Sequence, residues 1–424
     1  MQRHLLTLTA AAAALGTTIA LTGCGASGGS SGDVTLKLIA AEYNVDGAQS
    51  TKTYWADLVE EFESKHDIKV EATIVPWTEI HAKVAQLVKD GKAPDIAQIG
   101  TYADYADDDK LYSADQLLSI PVQSNFLRPL VDAGEQRRVQ YGLPFAASTR
   151  LLFYNKELFA EAGITEAPTT WDELRDTAAQ LKDAGVKYPY ALPLGPEEAH
   201  IETMLWMLGG GSNGFVDPGG SYALNSKENQ SALKWVKSNL VEPGLTGPGA
   251  PGELNREDAF KAFNKGEVGM LNGHPSLARK AEEAGIDLGQ VPVPGKDGKP
   301  KTTAGVADWI MGFKENGHRE EIGKFFNFLF TDKNVMAFAS QNDLLPPTVS
   351  ASEAMEVDPE HKALKDFLVE LPTSLLPPLN KTSWGPLNEE IKKNIGRTME
   401  PGRSPESVLA DLAQKAEEAE NREE

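Results

Sequence analysis

The sequence predicts an α/β protein of two lobes, and three observations carry this reading. Strand and helix patterns alternate from residue 34 onward, the signature of a mostly parallel sheet covered by helices. With the leader set aside about 400 residues remain, which at roughly 100–200 per domain suggests two lobes. Two Gly/Pro-marked stretches, 140–150 and 291–295, interrupt the alternation where a chain would pass between lobes.

The elements follow in order. Val34–Ala40 reads as a strand, and Thr53–Lys65 places Trp55, Leu58, Val59 and Phe62 on one helical face. Ile68–Val75 alternates as a strand. Trp77–Lys89 carries a stripe of Ile80, Val84, Leu87 and Val88 and stops at Gly91. Pro94–Gly100 reads as a short buried strand. Gln140–Arg150 carries turn signals, and Leu151–Tyr154 resumes as a strand. Helices are expected at Lys156–Ala162, Thr170–Ala184, His200–Leu208, Ser226–Asn239 and Arg256–Phe263, with Thr170 as N-cap and Glu173 as its reciprocal partner. Val268–Leu271 is a strand entering Asn272-Gly273-His274-Pro275. Val291–Gly295 is extended, Gly305–Phe313 is a strand, and helices are expected at Glu320–Phe330, Asn388–Ile395 and Pro405–Glu420.

The first residues read as a processing signal. Arg3 supplies a basic start, and Leu5–Ala20 is an apolar run too short for a comfortable membrane span. Leu21-Thr22-Gly23-Cys24 resembles the bacterial lipobox, which implies lipidation of Cys24. Residues 25–32 have the composition of a flexible tether. Cys24 is the sole cysteine, which excludes an internal disulfide and a cysteine metal cluster. The folded part is therefore expected outside the cytoplasmic membrane, anchored to it.

Composition narrows the function. Lys and Arg number 41 against 62 Asp and Glu, a formal charge of −21. That balance disfavours nucleic acid, where phosphate neutralisation drives affinity, and anionic lipid surfaces. Asp107-Asp108-Asp109 lacks the Gly and distal Glu of a calcium loop. None of the seven His residues falls in a zinc spacing, and Gly209-Gly210-Gly211 is not followed by the Lys-Ser/Thr of a phosphate loop. No cofactor or metal is expected.

Four segments resemble the family 1 extracellular solute-binding proteins, the maltose- and trehalose-type group. They are Gly142–Gly163 with Pro168–Leu174 behind it, Ala259–Met270, Lys324–Phe330, and Asn334–Ala339 with Leu345-Pro346-Pro347. The resemblance covers essentially the whole mature chain. It implies a periplasmic-binding-protein-like fold, with a hinge and an interlobe ligand cleft. It also implies discontinuous lobes: a leader over 1–23, a tether over 24–32, a first lobe over 33–148 and 293–342, and a second over 149–292 and 343–424. Such a protein closes over its ligand and is recognised by the permease subunits of an ABC importer. The chain is expected to be a monomer and not an enzyme. A secreted glycoside hydrolase is the alternative, but no pair of carboxylates is singled out for it. Binding of a glycerophosphodiester or polyamine stays open.

A sugar or sugar alcohol needs aromatic faces for its C–H surfaces and polar groups for its hydroxyls. Such groups are expected at strand-to-helix turns, where ligands meet the carboxyl ends of parallel strands. Glu42, Tyr43 and Asn44 follow the first strand. Trp77 either lines the cleft or staples its own helix. Thr101 and Tyr102 occupy a turn that lines the cleft in the family. Arg150, at the first crossing, either reaches ligand oxygens or makes a structural ion pair. Glu198 and His200 fall in the family's second-lobe contact loop. His274 and Pro275 stand where many relatives carry an aromatic ring, a departure that points to a smaller ligand. Trp309 either roofs the cleft or is core, and Trp384 resembles a stacking tryptophan. Trp55, Trp171, Trp206 and Trp235 lie on amphipathic faces and are expected in the core.

Overall fold

The computed structural model describes residues 34–43, 50–298 and 302–421. The leader, Cys24, the tether and Asn44 lie outside the described residues.

The first sheet is built from β1 (Val34–Glu42), β2 (Ile68–Pro76) and β3 (Ile96–Ile99), then β6 (Leu143–Ser148) and β11 (Val306–Gly312), in the order β2-β1-β3-β11-β6. The hairpin β4 (Glu135–Gln136) and β5 (Val139–Gln140) stands beside it. The second sheet is β7 (Leu151–Asn155), β8 (Tyr188–Ala191), β9 (Val268–Gly273) and β10 (Leu288–Pro292), in the order β10-β7-β9-β8. In each sheet a single strand runs against the others. β11 is antiparallel to both β3 and β6, and β7 is antiparallel to both β9 and β10. Each of these two strands is the one that enters from the other lobe, so its amino end lies level with its neighbours' carboxyl ends.

Sequence explains the local elements. Ser50 caps the helix Thr51–Lys65, its Oγ accepting from the Thr53 amide at 3.1 Å. That helix buries Tyr54, Trp55, Leu58 and Phe62, and each such side chain contributes roughly 1.5–3 kcal/mol by leaving water. Trp77–Lys89 buries Ile80 and Val84. It is followed by Gly91 at φ +64°, a left-handed position that glycine takes without a Cβ penalty. The expected reciprocal cap forms at Trp171–Asp183: the Glu173 amide donates to Thr170 Oγ1 at 3.0 Å, and the Thr170 amide to Glu173 Oε2 at 3.1 Å. Ala199–Gly209 is buried on nearly every side, including Glu202 and Thr203, which periodicity alone does not forecast. The short helices between Ala114 and Gly134 and the helix Pro275–Glu283 do not stand out from the sequence pattern.

The four tryptophans expected in the core are there or against it. Trp55 stacks on Phe145 at 5.5 Å, and Trp171, Trp206 and Trp235 form one aromatic group in the second lobe. An apolar cluster also runs from Ile99 and Trp309 of the first sheet to Phe153 and Leu271 of the second. Residues 343–357, expected in the second lobe, pack on the first. Leu345 pairs with Ala147, the Leu127 amide donates to the Pro347 carbonyl, and Ala351 joins the cluster of Phe126 and Phe338.

The chain passes between the sheets at Thr149-Arg150, both buried. The Thr303 hydroxyl, from the return passage, donates to the Arg150 carbonyl at 3.0 Å. Leu375 is tied to the same return passage by hydrogen bonds with Thr303 and Gly305. Three separate segments thus meet at the hinge.

Candidate functional site

The carboxyl ends of β1, β2 and β3 and the amino end of β11 share one edge of the first sheet. The carboxyl ends of β8 and β9 and the amino end of β7 share one edge of the second. The loops leaving these edges enclose a cavity of about 800 Å³. Its first wall carries Trp77, His81, Thr101 and Asp308. Its second carries Glu198, His200 and Arg256, with Trp384, Asn388 and Lys392 from the helix Trp384–Asn394.

Five candidates from the sequence, Trp77, Thr101, Glu198, His200 and Trp384, line this cavity together. Trp77 is half-buried with its ring 5.9 Å from His81, and Trp384 is buried against Phe215 at 5.3 Å. Tyr43 stands one layer behind the wall. Its hydroxyl donates to Asp308 Oδ2 at 2.6 Å and accepts from Gln98 Nε2 at 2.9 Å, while its ring meets Trp77 edge-on at 5.4 Å. Glu42 ends β1, half-buried and off the cavity wall.

The remaining candidates lie elsewhere. Tyr102 and Trp309 are fully buried and pack on each other at 5.3 Å. They sit in the first-lobe core and not on the cleft, because β11 turns Trp309 to the sheet face opposite Asp308 and Tyr102 anchors the next helix through the Ala133 carbonyl at 2.6 Å. A Cβ on Gly142 would come within 2.7 Å of the Tyr102 ring, so that glycine permits the packing. His274 also leaves the cavity. It precedes the helix Pro275–Glu283, bonds Ser276 Oγ at 3.0 Å and packs on Phe260 at 5.0 Å.

Arg150 resolves as a structural ion pair. It is 3% exposed and donates to Glu198 Oε1 at 2.6 Å, and to Ser148 Oγ and the Thr149 carbonyl, both at 3.1 Å. Arg256 bonds the other oxygen of Glu198 and also Glu197 at 2.8 Å. Burial alone would raise the Glu198 carboxyl, but the two guanidinium groups more than offset it and hold it well below the ordinary carboxylate range. His200 is pushed down to about 3 by burial, with Lys392 and the two arginines opposing its charge and Glu198 favouring it. Its Nδ1 is buried without a partner among the described residues. Behind it, Glu202 Oε1 accepts from Tyr190, Trp206 and Asn272, yet burial keeps the carboxyl raised to about 7. Asp308 is raised to about 6 by burial and by the Glu198 charge, against the Tyr43 hydrogen bond.

Sequence reasoning did not single out His81, Arg256, Asp308, Asn388 and Lys392. Helical spacing was an available signal for three of them: His81 lies four residues after Trp77, and Asn388 and Lys392 lie four and eight after Trp384. Asp308 faces opposite to Trp309 on a strand, so choosing Trp309 chose the wrong face. Arg256 is brought in by tertiary structure alone.

Two α/β lobes, a hinge of several segments and a polar cavity with indoles on both walls define a binding protein of the two-lobe type. The chain belongs to the bacterial extracellular solute-binding protein family, whose model matches residues 47–336. A binding protein of Brucella abortus (strain 2308) is 28% identical over 392 residues, covering 90% of this chain and 92% of that one. The galactooligosaccharide-binding protein of Bacillus subtilis (strain 168) is 25% identical over 388 residues, covering 85% of each. The sugar-binding protein MalE of Xanthomonas citri shares the fold with a TM-score of 0.77 at 21% identity, covering 92% of this chain and 98% of that structure.

Proposed function

We propose that this chain captures a sugar or sugar alcohol between its lobes and delivers it to the permease subunits of an ABC importer. It works as a monomer outside the cytoplasmic membrane, held by lipid on Cys24. The observation that carries the reading is the cavity itself. The half-buried Trp77 of one lobe offers an indole surface for sugar C–H groups, the buried Trp384 backs the lining of the other, and carboxylates, imidazoles and an amide lie between them to meet hydroxyls. Family membership and the galactooligosaccharide-binding relative support it. A ligand touching both walls favours the closed form, which is the state a permease would read.

A thermal-shift screen against mono-, di- and trisaccharides, sugar alcohols, glycerophosphodiesters and polyamines tests it. A ligand of the folded state raises the melting temperature as RT ln(1 + [L]/Kd). The expected outcome is a shift confined to carbohydrates. Trp77→Ala is expected to weaken that ligand about tenfold, the scale of a lost aromatic contact, read by calorimetric titration. A shift only with glycerophosphodiesters or polyamines refutes the ligand class. For the anchor, Cys24→Ser is expected to abolish labelling by radioactive palmitate and release the chain from membranes.

A further inference from the structure

The two walls of the cleft differ in how their charges are partnered. On the second wall Arg256 is bound by Glu197 and Glu198, and Lys392 pairs with Glu389. Both cations of the cavity among the described residues are thus committed to carboxylates. Among the described residues the first lobe contributes no lysine or arginine to the lining, and burial, with Lys392 facing it, holds His81 towards its neutral form. Among the described residues five carboxylates, Asp104, Glu197, Glu198, Asp308 and Glu389, line the cavity against two cations.

Asp308 stands out among them. It lines the cavity and receives one hydrogen bond at Oδ2, from Tyr43. It makes no ion pair among the described residues. Glu198 faces it closely enough to disfavour its charge. A sugar hydroxyl would satisfy a lone pair of such a carboxylate and leave its charge uncompensated. An ammonium group would satisfy both, through a charge-assisted bond in a site shielded from water. The chain's net charge of −21 adds a long-range attraction for cations.

We propose that the cleft takes a hydroxylated ligand bearing a protonated amine, an amino sugar, and that Asp308 is the residue that selects it. The proposal rests on the sugar reading above and narrows it. The Trp77 indole receives the ring C–H surfaces, and the amine sits on the first wall between Asp308 and the Glu198 edge.

The test is calorimetric titration of the full chain at neutral pH with three matched series of β-1,4-linked glucose units, of one to three rings each. They are glucosamine oligomers, their N-acetylated forms and the 2-hydroxyl parents. Maltose, lactose and spermidine complete the panel. The expected result is that an amine form binds about tenfold or more tighter than its hydroxyl and N-acetyl counterparts, the scale of one added ionic contact at a partly shielded site. Asp308→Asn and Asp308→Ser are expected to bring that ratio close to one. Tyr43→Phe, which keeps the carboxylate, is expected to retain it. Neutral sugars binding as well as their amine forms overturn this inference and leave the sugar reading standing. A ratio unchanged in both Asp308 variants also overturns it. Tighter binding of spermidine than of any amino sugar, or no binding by any sugar, overturns both.

Discussion

Glu198 and Asp308 face each other across the cleft, and their environments drive them apart. Glu198 sits between Arg150 and Arg256 and stays ionised into acid. Asp308 has a phenol as its partner and is pushed up to about 6. Similar side chains, both partly withdrawn from water, differ because, among the described residues, one was given two cations by tertiary structure and the other none. The second wall is a preassembled ion network locked to the hinge through Arg150. The first wall leaves its carboxylate for the ligand.

The largest effect is expected from breaking the network. Glu198→Gln leaves Arg150 without its carboxylate in a buried site and is expected to cost about 3–5 kcal/mol, read by denaturant unfolding. A loss below about 1 kcal/mol would show that the hydrogen bonds to Ser148 and the Thr149 carbonyl suffice for Arg150.

The pH profile sharpens the same contrast. Glu198, with a depressed carboxyl, contributes stability that is present above the ordinary 4.5 and is lost as the solution is acidified. His200, held neutral and depressed to about 3, likewise contributes stability present above its ordinary 6.5 and lost below it. Asp308 and Glu202 have the opposite sign. Their folded values of about 6 and 7 exceed the ordinary 3.8 and 4.5, so their contribution is full below about pH 4 and is lost as pH rises through 6–7. Melting temperatures from pH 4 to 8 are expected to fall less steeply on the alkaline side in Glu202→Gln than in the parent chain.

Tyr43→Phe removes one donor from a charged acceptor and is expected to cost about 1.5–3 kcal/mol at neutral pH, with a smaller cost at pH 4, where Asp308 is protonated. The smallest effect is expected for Asp308→Asn, which removes an uncompensated charge. Its melting temperature should match or exceed the parent's at pH 8 and fall to it or below at pH 4. A clear loss at pH 8 would mean that Asp308 has a cation partner and that the contrast with Glu198 is wrong.

Much of this architecture was legible in sequence. The helices Thr51–Lys65, Trp77–Lys89 and Trp171–Asp183 follow from apolar spacing and caps, which are local properties. Trp77 follows from a strand-to-helix turn facing the cleft, while Thr101, Glu198, His200 and Trp384 are positions the family resemblance implies, and all five line the cavity. Tyr102 was misplaced and Trp309 stayed open between cleft and core, because an aromatic ring near such a turn suits both equally and only packing decides between them.

The sequence by itself determined the alternation of elements, the acidic balance and the segments that mark the family, since each depends on neighbours along the chain or on totals over it. Tertiary structure alone decided which charges meet. Arg150 and Arg256 lie 106 positions apart in number yet share one carboxylate, and Asp308 reaches Tyr43 across a separation of 265. The reason is physical: an ionisable group answers to burial and to charges within a few ångströms, and in this chain those neighbours come from segments far away along the sequence.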